Sequence, residues 1–178
     1  MSAKVLFLST LLAMLLPFSA DLYSIHITGM DGQDKAMSDF AGKKLLIIVL
    51  PVTVTPADSQ YLQRVGEVSS KYADYVNIIG VPAYEFGYKD ASLSTIRQRF
   101  ASLVGTRVFL TSGMYVKASS ANQHPLFSWL THSAQNGMFE EEVKGVGQKY
   151  FIDGGGQLYG VLSASFTLRD SLMMKLLY

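Results

Sequence analysis

The segment Leu45-Leu46-Ile47-Ile48-Val49 is apolar throughout, and Val76-Asn77-Ile78-Ile79-Gly80-Val81 has nearly the same character. Strands of this composition are typical of a sheet covered on both faces, which is usually parallel with helices on each side. Between the two runs, apolar residues recur at helical spacing after Thr55-Pro56, which offers a capping hydroxyl and a proline for the first turn. The sequence therefore predicts a strand-helix-strand crossover. The apolar face of its helix consists of Tyr61, Leu62, Val65, Val68 and Tyr72.

Two hairpins are predicted on either side of this crossover. In the first, Ser24-Ile25-His26-Ile27 and Lys35-Ala36-Met37 flank the tight-turn pair Asp31-Gly32. In the second, residues 149–152 and 157–162 flank a turn with three consecutive glycines, which tolerate the positive φ angles that such turns need.

Three further helices are indicated. The first has Ser92 or Ser94 available as a cap. The second is short and is entered through the proline of residues 124–130. The last is introduced by Thr167 and Asp170, which have the spacing of a capping box. The apolar faces of the first and last helices are Ile96, Phe100, Leu103 and Val104, and Leu168, Leu172, Met173 and Leu176.

A third strand at residues 107–111 completes the order: hairpin, strand-helix-strand, helix, strand, helix, hairpin, terminal helix. A parallel crossover joined to an antiparallel hairpin in one mixed sheet, with helices on both faces, is the arrangement of the thioredoxin-like α/β fold. We expect one such domain over residues 21–178, with a β-hairpin at its N-terminus.

The first twenty residues differ from the rest. Lys4 supplies a positive charge, residues 5–16 are almost entirely apolar, and Pro17-Phe18-Ser19-Ala20 offers a cleavage site before Asp21. This pattern is typical of a secretory signal peptide. We therefore expect residues 1–20 to be a signal peptide and the protein to be exported, periplasmic or secreted. The apolar run is shorter than the ~20 residues of a membrane span, so we expect no span after cleavage. An uncleaved anchor is the alternative.

Charge and cysteine content exclude several classes of function. Without Lys4, the 15 Lys and Arg residues become 14 and balance the 14 Asp and Glu residues, so we expect no nucleic-acid partner. The chain contains no cysteine, although exported proteins commonly use disulfides. Thiolate nucleophiles and thiolate metal ligands are therefore excluded.

The three histidines are His26, His124 and His132, and they lack the i, i+4 spacing of a zinc-binding helix. His124 and His132 are about two helical turns apart and so can share a face, but a surface or capping role is the simpler interpretation. We predict neither a metal nor a cofactor.

Four segments resemble the glutathione peroxidase family, in the family's order and at nearly its spacing. The opening segment, from Tyr23-Ser24-Ile25 to Leu45-Leu46-Ile47, resembles the family's first hairpin and core strand. Gly80-Val81-Pro82-Ala83-Tyr84-Glu85-Phe86-Gly87 is similar to the family's Gly-Phe-Pro-Cys-Asn-Gln-Phe-Gly, and Asn122-Gln123-His124-Pro125-Leu126-Phe127 to its Asn-Ala-His-Pro-Leu-Phe. Tyr150-Phe151-Ile152-Asp153 and the following glycines match its late hairpin.

The resemblance implies an active site whose reactive residues are absent. The family attacks peroxide with a cysteine or selenocysteine at the first helix's N-terminus, assisted by glutamine, tryptophan and asparagine. In that order, the matching positions are Val52 or Thr53, then Glu85, Gly145 and Val146. The second, resolving cysteine of many members corresponds to Ala83. A threonine hydroxyl is not appreciably ionised near neutral pH and has no sulfenic or disulfide intermediates, so Thr53 cannot replace the cysteine.

We therefore expect a catalytically silent relative that acts as a binding or interaction module in the cell envelope, with an unidentified protein or small-molecule ligand. The alternative is an oxidoreductase, peroxide-reducing or other, with a non-thiol or cofactor-dependent site near Glu85. Glu85 can also be a solvated carboxylate packed by aromatic neighbours, and the threonines can be ordinary caps, and we prefer these simpler interpretations. The candidate ligand-binding residues are Thr53, Thr55, Tyr84, Glu85 and Tyr88.

Overall fold

The computed structural model describes residues 21–178, and the predicted signal peptide at residues 1–20 lies outside this part. The strands are β1 (His26–Thr28), β2 (Asp34–Ala36), β3 (Lys44–Leu50), β4 (Val76–Pro82), β5 (Val108–Leu110), β6 (Lys149–Ile152) and β7 (Leu158–Leu162). The α-helices are α1 (Pro56–Lys71), α2 (Leu93–Leu103), α3 (Pro125–Thr131), α4 (Ser133–Asn136) and α5 (Ser171–Leu177).

Five strands form one mixed sheet in the order β5-β4-β3-β6-β7. β3 runs parallel to β4, with Leu46 opposite Ile78, and β4 runs parallel to β5. β6 lies antiparallel to β3, with Ile47 opposite Tyr150, and β7 is antiparallel to β6. β1 and β2 form a separate antiparallel hairpin. The predicted α/β architecture, with its N-terminal hairpin, is confirmed.

β3 is the central strand, and its side chains contribute to two hydrophobic cores. Leu45, Ile47 and Val49 pack into the core that contains α3 residues. Leu46, Ile48 and Leu50 pack into the core that contains α1 and α2 residues. All six are buried, and each contributes about 1.5–3 kcal/mol to folding by leaving water. The uninterrupted apolar sequence of β3 is therefore required by helices on both sides of the sheet.

α1 begins as the sequence predicts. The Thr55 hydroxyl accepts a hydrogen bond from the Asp58 amide at 3.1 Å, and Pro56 occupies the first turn. The predicted apolar face is confirmed at Leu62, Val65 and Val68, which are buried.

The prediction for α2 was only partly correct. Ser92 occupies its N-cap position, but the Ser92 side chain makes no capping hydrogen bond. Of the predicted face, Ile96 and Phe100 are buried within the helix, and Val104 is buried just beyond its end.

The prediction for the terminal helix was partly wrong. α5 begins at Ser171, after a turn in which the Asp170 carboxylate accepts a hydrogen bond from the Thr167 amide. The helix thus starts later than the predicted capping box, and Leu172, assigned to the apolar face, is 43% exposed. Met173 is buried in the helix as predicted and Leu168 is buried before it, whereas Leu177, four residues after Met173, takes the second buried position of the helix. Within residues 21–178, no helix is long and apolar enough to cross a membrane.

Gly66 brings α1 and α2 close together, which generates a prediction about stability. A Cβ at Gly66 would lie 2.7 Å from the Val104 carbonyl oxygen and 3.0 Å from that of Leu103. Although alanine is intrinsically better than glycine in a helix by about 1 kcal/mol, we expect Gly66→Ala to lower the free energy of unfolding by about 1–3 kcal/mol through overpacking. Denaturant unfolding measures the change.

The matched control is Gly145→Ala, because an added Cβ at Gly145 meets open space and the backbone there does not have a positive φ. We expect this control to change the free energy of unfolding by no more than about 0.5 kcal/mol. A Gly66→Ala variant as stable as the parent chain would contradict the close helix contact.

Candidate functional site

Three segments meet where β3 and β4 end and β6 begins. Residues 51–55 follow β3, residues 83–88 follow β4, and residues 145–148 precede β6. The Gly147 amide donates to the Val49 carbonyl at 2.7 Å. On the other side, Val52 Cγ2 would lie 3.7 Å from a Cβ at Gly87. We call these three segments the carboxyl edge, and they contain every position that the resemblance assigned to the family's catalytic and assisting groups.

The N-terminus of α1 has an internal anion in place of a nucleophile. The Asp58 carboxylate accepts hydrogen bonds from the hydroxyls of Thr53 and of Thr55, the latter at 2.6 Å. Burial alone would raise the pKa of Asp58, but the two threonine hydroxyls and the Arg99 charge lower it below its usual value. Because the amino end of a helix favours a negative group, Asp58 already occupies the position that an external anion would take.

Arg99 reaches this loop from α2. Its guanidinium donates to the Thr53 carbonyl and, at 3.1 Å, to the Ser59 hydroxyl. The loop is therefore held at its backbone, at both threonine side chains and at the helix start. Of the candidate ligand-binding residues, Thr53 and Thr55 are exposed, but their hydroxyls are engaged with Asp58.

Glu85 forms a different structure from either interpretation of the sequence. Its carboxylate accepts hydrogen bonds from the Val116 amide at 2.9 and 3.1 Å and from the Lys117 amide at 2.9 Å. It is half-buried and links the turn after β4 to the segment after β5. The preceding Ala83, which matches the family's resolving position, is fully buried and bridges to Met114. Glu85 is thus bonded to the backbone rather than solvated.

Tyr84 and Tyr88 belong to an aromatic cluster that also contains Tyr115. The Tyr84 ring stacks on Tyr115 at 4.6 Å between centroids and meets Tyr88 edge-on at 5.3 Å. The Tyr84 hydroxyl donates to Asp90 at 2.7 Å. Burial, followed by that hydrogen bond, raises the pKa of Tyr84 to about 12, so its hydroxyl stays protonated near neutral pH. Tyr115 was not predicted as a site residue, because it belongs to no recognisable sequence motif.

Gly145 and Val146 occupy a turn rather than a pair of hydrogen-bond donors. The Gln148 amide donates to the Gly145 carbonyl at 3.3 Å, and Gly147 has a φ of +87°. Neither side chain of this pair can donate a hydrogen bond to a reacting group, because one is absent and the other is aliphatic.

The histidines are separated and engaged locally. His26 Nδ1 lies 2.6 Å from Asp34, His124 Nδ1 accepts from the Leu126 amide at 3.1 Å, and His132 Nδ1 lies 2.9 Å from the Ser128 carbonyl. Burial lowers the pKa of His124. Across residues 21–178, no group of three or more His, Cys, Asp or Glu side chains is placed to hold a metal ion.

Two exposed apolar side chains lie at the carboxyl edge and beside it. Val54, in the loop before α1, is 80% exposed, and Tyr115 is 39% exposed. The polar side chains beside them bond to one another or to the backbone. The geometry therefore suits contact with another molecule better than acid–base or nucleophilic chemistry.

Two curated proteins are similar to this chain, although no protein-family model matches it. The glutathione peroxidase homolog BsaA of Bacillus subtilis is 24% identical over 145 residues, covering 78% of this chain and 86% of that protein. The hydroperoxy fatty acid reductase gpx1 of Synechocystis sp. is 28% identical over 148 residues, covering 77% of this chain and 83% of that protein.

Solved structures have the same fold. The crystal structure of T. cruzi GPX1 has a TM-score of 0.63 at 16% identity and covers 88% of this chain and 94% of its own. The crystal structure of Trgpx in apo form has a TM-score of 0.61 at 17% identity and covers 88% and 95%. Taken with the curated relatives, the chain is a glutathione peroxidase-like protein with a thioredoxin fold, and it contains no cysteine.

Proposed function

We propose that this protein is a catalytically silent glutathione peroxidase-like protein that acts as a binding or interaction module, with the carboxyl edge as its contact surface. The observation that carries the proposal is the Asp58 carboxylate bound by the hydroxyls of Thr53 and Thr55. Where a peroxidase would need a thiolate or selenolate, this chain has a carboxylate engaged by its own residues.

The catalytic silence follows from the chemistry of oxygen transfer. Peroxide reduction through a side chain needs an ionisable nucleophile that can accept oxygen and be regenerated, and thiolates have this property. The chain has no cysteine, and a threonine hydroxyl cannot form such intermediates. One relative is named a hydroperoxy fatty acid reductase, and that activity is a property of that protein.

The binding role is supported by the side chains exposed at the carboxyl edge and at Tyr115, which stacks on Tyr84 of that edge. Val54 and Tyr115 are accessible, while Glu85, Asp58 and Arg99 are engaged in internal hydrogen bonds. Aromatic residues are enriched in protein interfaces and charged ones are depleted from interface centres. When a protein partner covers Val54 and the Tyr115 ring, few polar contacts of this chain are lost, because the charged groups named above already bond internally.

The competing enzyme hypothesis places acid–base chemistry at Glu85. The Glu85 carboxylate would have to give up its bonds to the amides of Val116 and Lys117 before it could serve a substrate. Such bonds hold the carboxylate in one position. This argues for an anchoring role.

We also propose that the protein works outside the cytoplasm, in the periplasm or beyond. The support comes from residues 1–20, whose sequence combines Lys4, an apolar stretch and a small-residue cleavage site.

A thiol introduced at position 53 tests whether the loop before α1 stabilises a thiolate. Because Thr53 donates to Asp58, a carboxylate would be next to the new sulfur and would oppose its ionisation. We expect the thiol of Thr53→Cys to have a pKa at or above the ordinary value of about 8.5. Adding Asp58→Asn should lower this pKa by about one unit. The pH dependence of iodoacetamide alkylation measures it, since this would be the only thiol in the chain.

The control pair is Thr53→Cys with Asp90→Asn, which removes a carboxylate that bonds Tyr84 instead. It should leave the thiol pKa within about 0.3 units of the single variant, because the Asp90 carboxylate bonds elsewhere. A thiol pKa well below 8.5 with Asp58 intact would contradict the assigned role of Asp58.

A coupled peroxide-reduction assay with glutathione or thioredoxin tests the proposed silence directly. The unmodified chain should give only background turnover. Turnover by metal-free protein would overturn the proposal.

Val54→Asp tests the contact surface. Capture of partners from cell-envelope extract by the parent chain should give a saturable species that the variant loses by at least about tenfold, since a charge in an apolar contact costs more than 1.4 kcal/mol. The matched control is Tyr75→Asp, which places the same charge on a side chain 63% exposed at the opposite end of the sheet. Equal capture by both variants, or no saturable partner, would argue against the carboxyl edge as the surface.

Glu85→Gln tests the anchoring role against the catalytic one. The amide keeps the shape but removes the charge that the amides of Val116 and Lys117 bond, so we expect the free energy of unfolding to fall by about 2 kcal/mol. Glu67→Gln, an exposed carboxylate on α1, is the control and should change stability by less than about 0.5 kcal/mol. If the parent chain turned over a substrate, and Glu85→Gln lost that turnover without losing stability, catalysis by Glu85 would be favoured instead.

A further inference from the structure

Lys149 is a lysine enclosed in the protein interior. It lies on β6 and is fully buried, with Nζ donating to the Gly147 carbonyl at 2.6 Å and to the Phe166 carbonyl at 2.7 Å. Among the described residues, no carboxylate lies within ion-pair distance of Nζ. Two neutral carbonyls therefore bind a group that, when charged, ordinarily requires water or a carboxylate.

The surroundings of Lys149 come from three elements. From α1, the Tyr61 ring centroid lies 5.9 Å from Nζ, and the Tyr61 hydroxyl is buried without a hydrogen-bond partner. From the turn before β6 comes Gly147, and from the segment between β7 and α5 come Phe166 and Asp170. Tyr61 and Asp170 are the titratable groups facing Lys149; burial raises the pKa of Tyr61, and the charge of Asp170 acts on the Lys149 amine.

The segment of residues 163–170 covers Lys149 without forming a helix or strand. It is held by the Lys149 bond to Phe166 and by the buried side chain of Leu168. Several of its hydrogen bonds are internal turns, such as the Asp170 amide with the Thr167 carbonyl at 3.2 Å, and the Met174 amide of α5 donates to the Asp170 carbonyl at 3.0 Å. Residues 164–167 are exposed. A segment with so few buried contacts belongs to the least stable part of a fold.

Opening of the segment of residues 163–170 is linked to protonation of the Lys149 amine, because the amine is buried only while the segment is closed. Burial lowers the pKa of Lys149 to about 8, and the charge of Asp170 opposes this only in part. A lysine that reaches water returns to a pKa of about 10.4. Between these two values the open form binds more protons than the closed form, so lower pH favours opening and higher pH favours closure. Below about pH 8 both forms are protonated, and the dependence levels off.

We propose that residues 163–170 form a proton-controlled lid over Lys149, which opens more readily when the amine is protonated and closes when it is neutral. Opening breaks the Lys149 bond to Phe166 and frees the Gly147 carbonyl, which belongs to the turn at the carboxyl edge. This device is independent of the proposed function, because it needs neither a partner nor the absence of catalysis.

Trypsin cleavage after Arg169, an exposed basic residue within the lid, tests the proposal on the full chain. The rate is divided by that of a small peptide substrate at each pH, which removes trypsin's own pH dependence. We expect the corrected rate to fall roughly tenfold between pH 7.5 and 9. Cleavage after Arg97 in α2 is an internal reference for global unfolding and should fall much less.

Two variants make the test specific to Lys149. Lys149→Met carries no titrating amine, and Lys149→Arg keeps its charge throughout, so both should give pH-independent cleavage after Arg169. The control Lys44→Met removes a lysine whose Nζ bonds the Leu176 carbonyl at 3.3 Å, and it should retain the tenfold fall. The proposal is overturned if the parent chain shows no fall, if Lys149→Met and Lys149→Arg keep it, or if Arg97 shows the same fall.

Discussion

Double-sided burial of β3 is the constraint on which the rest of the structure depends. Alternate side chains of this strand belong to opposite cores, so β3 cannot shift its register by one residue without exchanging the two sets. The fixed register places residues 51–55 beside the turn of residues 83–88 and the turn of residues 145–148. The carboxyl edge therefore exists whichever side chains occupy it, because the two cores fix the register of β3.

The carboxylates at that edge and at the start of α1 are hydrogen-bonded within the protein. A helix start that could stabilise a thiolate instead holds Asp58, and the carboxylate of Glu85 receives backbone amides from the segment after β5. Each of these bonds satisfies a polar group that would otherwise need water or a ligand. These hydrogen bonds hold the edge in place, while the Val54 and Tyr115 side chains remain exposed.

The architecture could be predicted because it rests on local patterns. The apolar run of β3, the Thr55-Pro56 helix start and the glycine-rich turn before β7 each specify their own element. The site could not be predicted in the same way. The Glu85 carboxylate accepts from the Val116 amide 31 positions later in the chain, and the Lys149 amine donates to the Phe166 carbonyl 17 positions later. α5 shows the same limit on a smaller scale, because Asp170 bonds back to Thr167 in a turn rather than opening a helix with it.

The direction of each pKa shift also decides where the protein can respond to pH. The pKa of Asp58 is lowered, so this group stays ionised near neutrality, and the pKa of Tyr84 is raised to about 12, so this group stays neutral. The pKa of the His124 ring is lowered by burial, which favours its neutral form. Lys149, with a pKa of about 8, is the shifted group whose charge changes just above neutrality. Lys149 lies on β6, in the interior, where the Phe166 carbonyl of the segment of residues 163–170 accepts from its amine.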